Sequence, residues 1–232
     1  MSKNLLLEIG TEEMPANIMS GVVDQLRVLA ENAFGENRIS LKEITVYATP
    51  RRLAVLVKEA ADRQPDEEVK KRGPSIKAAF DEDGNPTRAA QGFARGQHID
   101  PSELIREGEY TWAHVVNEGK KIEDILPSLF TSLITGLNFT RSMRWADEEA
   151  RFIRPIRWIV ALCGSEVVPM EFAHVKSGRI SRGHRFLCKE DVTIESPETY
   201  KETMRKASVI VDQDERRDMI RKGLLAKAEE LG

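Results

Sequence analysis

EITVYATPRRLAVLVKEA, residues Glu43 to Ala60, is the stretch that settles the fold class. Two β-branched and aliphatic runs, Ile44 to Ala48 and Leu53 to Val57, flank TPRR, the pattern of antiparallel strands joined by a short connection. Arg51 and Arg52 then fall at the tip of the hairpin or on the edge of its second strand. Upstream, LLLEIG at Leu5 to Gly10 reads as a buried strand. TEEMPA follows as a loop whose Pro15 suits a first helical turn, where its missing N–H costs nothing. Ala16 to Phe34 carries Ile18, Val22, Leu26, Leu29 and Ala33 in three- and four-residue steps, a helical stripe with Gly35 as its stop. Strand, helix and hairpin predict one unit over residues 1–62.

Downstream, RQPDEEVKKRGPS is polar and charge-dense and reads as a linker. Two short helices, SIKAAFD and PTRAAQGFARG, are split by the turn DEDGNP, and EYTWAHVVNEG follows as a strand with Trp112 as its buried anchor. In KIEDILPSLFTSLITGL, Ile122, Ile125, Leu126, Leu129, Phe130, Leu133 and Leu137 share one helical face, with a kink or later start expected at Pro127. IRWIVALCGSEVVPMEF predicts a second hairpin turning at Gly164-Ser165, its return strand an edge or ending at Pro169. A helix from about Pro197, a short strand at Val209 to Val211 and a helix capped by Asp212, with Glu215 at its third position, complete the pattern. The fold class is therefore α+β, with mixed and antiparallel sheets and packed helices. A larger unit is expected over residues 75–211, and residues 212–232 as the start of a connecting helix. That last helix, with Ile220, Leu224, Leu225 and Leu231, is expected to lead into further structure, as in a fragment of a longer protein.

The 232 residues are 41% apolar and 31% charged with a net charge of −3, a globular composition with no global cationic field. Cys163 and Cys188 form neither a disulfide framework nor a cysteine-rich zinc site, which points to a reducing, cytoplasmic compartment. The N-terminal apolar run, Leu5 to Leu7, is too short for a signal peptide core, and no run approaches the roughly eighteen residues of a bilayer span, so no membrane role is expected.

Against that acidic balance, KSGRISRGHRF packs Lys176, Arg179, Arg182, His184 and Arg185 into eleven residues. Gly178 and Gly183 let backbone approach a phosphate, and guanidinium forks match its oxygens. A second group, Arg141, Arg144, Arg151, Arg154 and Arg157, is interleaved with Trp145, Phe152 and Trp158, the composition of surfaces that clamp RNA phosphates and stack bases. Two readings stay open: an RNA contact, or arginines paired with acidic residues, among them Asp147 to Glu149. Trp158 itself reads as core. Glu12 and Glu13 have no partner at catalytic spacing and read as structural, and the four histidines show no metal-binding pattern. The absence of GxGxxG, GxxxxGK[ST] and GxSxG leaves no self-contained nucleotide site and no nucleophile, so no catalytic or metal residue and no cofactor is assigned within the chain.

LLLEIGTEEMPA, ATPRRLAVLV, KRGPSIKAAFD, AAQGFARG, MRW, RFIRPIRWIVAL and GHRF occur in an order that closely resembles the N-terminal part of bacterial glycyl-tRNA synthetase β subunits, across essentially the whole chain. The resemblance implies part of a cytoplasmic α2β2 heterotetramer that joins glycine to tRNA(Gly) with ATP and magnesium. It implies that the α subunit carries the class II catalytic site and the β subunit tRNA recognition, with HD-like and anticodon-binding domains beyond the region matched here. Its N-terminal region is similar in fold to modules of the phenylalanyl-tRNA synthetase β subunit, a likeness that carries no site. An editing hydrolase is disfavoured, because a site for glycine excludes larger amino acids sterically. The expectation is a tRNA-handling and assembly portion contacting RNA through Arg179, Arg182, His184 and Arg185, then Arg141 and Arg144, then Arg51 and Arg52. The alternative is a structural module that docks the α subunit without touching tRNA.

Overall fold

In a computed structural model describing residues 2–145 and 150–231, the chain opens with strand β1 (Ser2–Thr11), a 3-10 turn at Ala16–Ile18, helix α1 (Met19–Glu36) and a hairpin of β2 (Glu43–Thr49) and β3 (Arg52–Ala61). The hairpin pairs antiparallel from Glu43 opposite Lys58 to Thr49 opposite Arg52, leaving Pro50 and Arg51 as its turn. β1 is buried along most of its length because both of its faces are covered. Leu5, Leu7 and Ile9 point to one face of the sheet and Leu6 and Glu8 to the other, which is why LLLEIG shows no polar alternation.

Residues 64–120 form a compact unit of their own. It holds β4 (Glu67–Ser75), α2 (Ile76–Ala79), α3 (Arg88–Gly96), β5 (Ile105–Glu107) and β6 (Tyr110–Asn117), with the sheet ordered β4-β6-β5. RQPDEEVKKRGPS is thus largely a strand rather than a linker. It pairs with β6 at the sheet's edge, where charged side chains and Pro74 are tolerated because one side of the strand faces solvent. Trp112 is also not the anchor. The period of two along β6 sends Thr111 and Ala113 into a core with Ala79, Ala90, Ala94 and Leu104. Trp112 lies half-exposed on the opposite face under the Lys70 ammonium, 5.0 Å from its ring.

At Lys121 the chain rejoins the first unit, 1–63 and 121–232. There follow α4 (Ile122–Thr135), β7 (Ile156–Cys163), β8 (Glu166–Val167), β9 (Glu171–Phe172), β10 (Val175–Gly178), β11 (Ile180–Arg182), β12 (Asp191–Thr193), α5 (Tyr200–Lys206) and α6 (Gln213–Leu231). This division differs from the expected units of 1–62 and 75–211. β7 fills the second side of β1, from Leu5 opposite Cys163 to Gly10 opposite Trp158, and so ties the later sequence to the first strand. The resulting sheet runs β2-β3-β1-β7-β10-β9, with β8 on β7 and β10 parallel to β7. α1 and α4 cover one face, where all seven expected α4 positions and Val22, Leu26 and Phe34 of α1 are buried. Large apolar side chains buried in this way each contribute roughly 1.5–3 kcal/mol. α4 starts at Ile122 with Pro127 inside it, so the later start does not occur.

The other face is covered by β12 and α5 through Val192, Ile194, Tyr200 and Met204. Val209 to Val211 is not a strand; it is an unpaired connection whose Val211 fills the same core. α6 begins as expected, with Asp212 Oδ1 accepting from the amides of Asp214 and Glu215, both at 3.1 Å. Asp212→Ala is expected to destabilise the chain by about 1 kcal/mol, read as a lower urea midpoint at unchanged slope. An unchanged midpoint would show that the cap contributes nothing.

Candidate functional site

The second face of the sheet carries a buried polar framework centred on Glu8, whose side chain is fully inaccessible. Its carboxylate accepts from the Trp158 indole N–H of β7, the Ser181 hydroxyl of β11 and the Tyr200 hydroxyl of α5, and faces Arg52 Nη1 of β3 at 3.5 Å. Arg52 Nη2 donates to the Arg182 carbonyl at 2.6 Å. Buried charge is tolerated only when paired and hydrogen-bonded, and here one carboxylate meets both conditions. Burial and the neighbouring Glu8 charge hold the Tyr200 phenol well above its ordinary range, so it stays a donor. The framework fixes the chain from Ser181 to Arg182 against the sheet.

Beyond Arg182 the backbone lines a cleft of about 390 Å³ facing the β2–β3 turn. Its lining includes Arg51 from that turn, His184, Arg185 and Phe186 from the following loop, Arg216 from α6, and Glu13. Gly183 is required there, because a Cβ on it would stand 2.6 Å from the Cys188 side chain. His184 Nδ1 accepts from the amides of Phe186 and Leu187 at 3.3 and 3.2 Å, which leaves the proton on Nε2. Arg216 donates to the carbonyls of Ile210 and Ala48, so neutral groups hold it while its charge remains, and burial lowers its pKa below the usual guanidinium value. Arg185 meets Glu13 at 3.4 Å, an exposed pair. Pairs of that kind contribute about 0–1 kcal/mol and yield readily to a better anion. Three guanidiniums, of Arg51, Arg52 and Arg182, lie 5.5–5.8 Å from the centre of the Trp158 ring.

A family model described as "Glycyl-tRNA synthetase beta subunit" matches residues 5–232. A glycine-tRNA ligase beta subunit of Desulfitobacterium hafniense is 48% identical over the whole chain, and those of Natranaerobius thermophilus and Halothermothrix orenii are 46% and 41% identical. The chain belongs to the glycyl-tRNA synthetase beta subunit family. It spans about a third of the length of these curated relatives. Four of the seven segments that carry the resemblance to glycyl-tRNA synthetase beta subunits come together in space. LLLEIGTEEMPA supplies Glu8 and Glu13, ATPRR the turn with Arg51 and Arg52, RPIRW the buried indole, and GHRF the wall of the cleft.

Within this beta-subunit segment the expected RNA contacts fall into separate places. Arg182, His184, Arg185 and Arg51 gather around the cleft and the Trp158 ring. Arg179 does not join them. It reaches the far end of β7, donating to the Ser165 carbonyl at 2.8 Å and pairing with Glu195 at 3.4 Å. Arg52, expected on the surface, is only 3% exposed and is committed to Glu8. Arg141 and Arg144 are exposed beside the Met143–Phe152 bridge. Phe152 is buried rather than a stacking platform, edge-on to Phe139 at 4.8 Å, Trp158 is core as expected, and Asp147 to Glu149 lie outside the described residues. Glu12 pairs with Arg157 at 3.4 Å. Among the described residues no group of three His, Cys, Asp or Glu side chains is placed to hold a metal ion, and no helix is long and apolar enough to cross a membrane. Glu8 and Arg216 escaped the sequence reading. The only local trace of Glu8 was a carboxylate inside an otherwise apolar strand.

Proposed function

We propose that this chain is the tRNA-handling and assembly portion of the beta subunit of a cytoplasmic glycine-tRNA ligase. In the complete α2β2 enzyme the alpha subunit performs ATP- and magnesium-dependent glycylation of tRNA(Gly). The observation that carries the reading is the convergence of four family-typical segments on a cleft where, among the described residues, Arg51, Arg185 and Arg216 face the single carboxylate Glu13. Cations on rigid elements suit phosphate contacts, which position RNA without reading its sequence. Arg182 and Arg185 are the exposed members able to reach a backbone. Arg179 is held by Ser165 and Glu195 and contributes less.

The test is titration of the 232-residue chain with tRNA(Gly) across a salt series. Wild type is expected to lose affinity steeply between about 50 and 200 mM salt. The double variant Arg182→Gln, Arg185→Gln should flatten the slope of log K against log salt by about two, roughly one per lost phosphate contact, while Arg179→Gln leaves it nearly unchanged. A folded chain that fails to bind at low salt contradicts the proposal.

A second reading, a structural module that docks the alpha subunit without touching tRNA, is supported by the carboxylate pairing of Arg179 with Glu195 and of Arg185 with Glu13. It predicts a folded chain that binds no tRNA at low salt.

A further inference from the structure

We infer that the cleft beside the β2–β3 turn takes a single unpaired nucleotide, its phosphate on Arg51, Arg185 and Arg216 and its base on the ring of Phe186. The inference rests on the RNA-contact reading above and narrows it from backbone in general to one nucleotide.

Four observations lead there. The first is size: about 390 Å³ lies at the lower end of small-molecule sites, which begin near 300 Å³. A concavity of that size admits one nucleotide, whereas a duplex presents a wide, convex backbone that would only bridge its mouth. The second is charge. Arg52 is answered by Glu8, but among the described lining residues Arg51, Arg185 and Arg216 share only Glu13. The third is an unmet donor: the Nε atom of Arg51 is buried with no hydrogen-bond partner. Buried donors in folded proteins nearly always find an acceptor, so an orphaned donor on a side chain lining a cationic cleft points to an acceptor supplied by a ligand. The fourth is Phe186. It is 73% exposed at the cleft, while its backbone amide is fixed by His184 Nδ1. The Arg185 guanidinium lies 5.7 Å from its centre. A ring held by its backbone, open on its face and next to a phosphate-binding cation is the pairing that single-strand sites use for base stacking.

The same chemistry fits a nucleotide within an RNA strand or a free mononucleotide, and the experiment separates them. The full chain is titrated with a labelled unpaired oligoribonucleotide, with the same sequence in a blunt duplex, and with AMP as competitor. The single strand is expected to bind more tightly than the duplex. Phe186→Ala should weaken single-strand binding by about fivefold or more, Phe186→Trp should restore it, and duplex binding should be unchanged by either. Displacement by AMP at concentrations comparable to the oligonucleotide's own dissociation constant assigns the site to free nucleotides, and resistance to AMP assigns it to a strand. Equal or tighter duplex binding, or a silent Phe186→Ala, overturns the inference and leaves the general RNA reading intact. A folded chain that binds no RNA overturns both.

Discussion

Glu8→Ala is expected to destabilise the chain by about 3–5 kcal/mol, the cost of removing one partner of a buried ion pair. Arg52 would keep its charge at 3% exposure with no carboxylate, and the Trp158, Ser181 and Tyr200 donors would lose their common acceptor. Against a total stability of about 5–15 kcal/mol, that loss is a large part of the whole. The readout is chemical unfolding, with a strongly lowered midpoint or no folded baseline at all. Glu8→Gln should cost less, because the amide oxygen still accepts. The double variant Glu8→Leu, Arg52→Met should recover part of the loss, since an apolar pair of similar volume avoids an unpaired buried charge. If Glu8→Ala unfolds like wild type, the framework is not what holds the Ser181–Arg182 segment to the sheet.

The second large effect is expected at Gly10, for steric reasons. Gly10 faces Trp158 across the β1–β7 ladder, and a Cβ on it would lie 1.9 Å from the indole ring. No rotamer of alanine avoids that contact, so the ring must move, and its N–H would leave Glu8. Overpacking in a dense core costs about 1–3 kcal/mol, and Gly10→Ala should reach the upper end because it also strains the framework. Gly21→Ala is the control, since nothing lies within 4 Å of the added atom in the first turn of α1. That substitution should stabilise by up to about 1 kcal/mol. The two variants therefore should shift the unfolding midpoint in opposite directions, and a shift in the same direction would contradict the packing described for Trp158.

The sequence was most legible where structure is local. The TPRR hairpin, the α4 stripe and the Asp212 cap each follow from residues within a few positions of one another, and each forms as read. It was least legible where partners are distant. The pairing of β1 with β7 joins residues more than 140 positions apart, and nothing in either strand announces it. The separate unit over residues 64–120 was hidden because β4 is a charged edge strand and its core is made mostly of alanines. Trp112 was misplaced because side-chain size suggested burial, whereas the phase of alternation along β6 decided it.

The candidate site divides in the same way. Arg182, His184, Arg185 and Arg51 were singled out by local charge and do lie at one place. Arg179 was grouped with them by proximity in sequence, but the turn between β10 and β11 sends it to the opposite end of β7. Arg52 looked like its neighbour Arg51. Arg51 stays in the turn while Arg52 opens β3, and the buried Glu8 that claims Arg52 is visible only in three dimensions.

Crosslinking of 4-thiouridine-substituted tRNA(Gly) to the folded chain tests the central claim most directly, because it reports where RNA sits rather than whether it binds. Adducts are expected to concentrate at Arg51 and across His184 to Leu187, and to weaken in Arg185→Gln. Adducts confined to other surfaces, with the cleft unlabelled, would contradict the account.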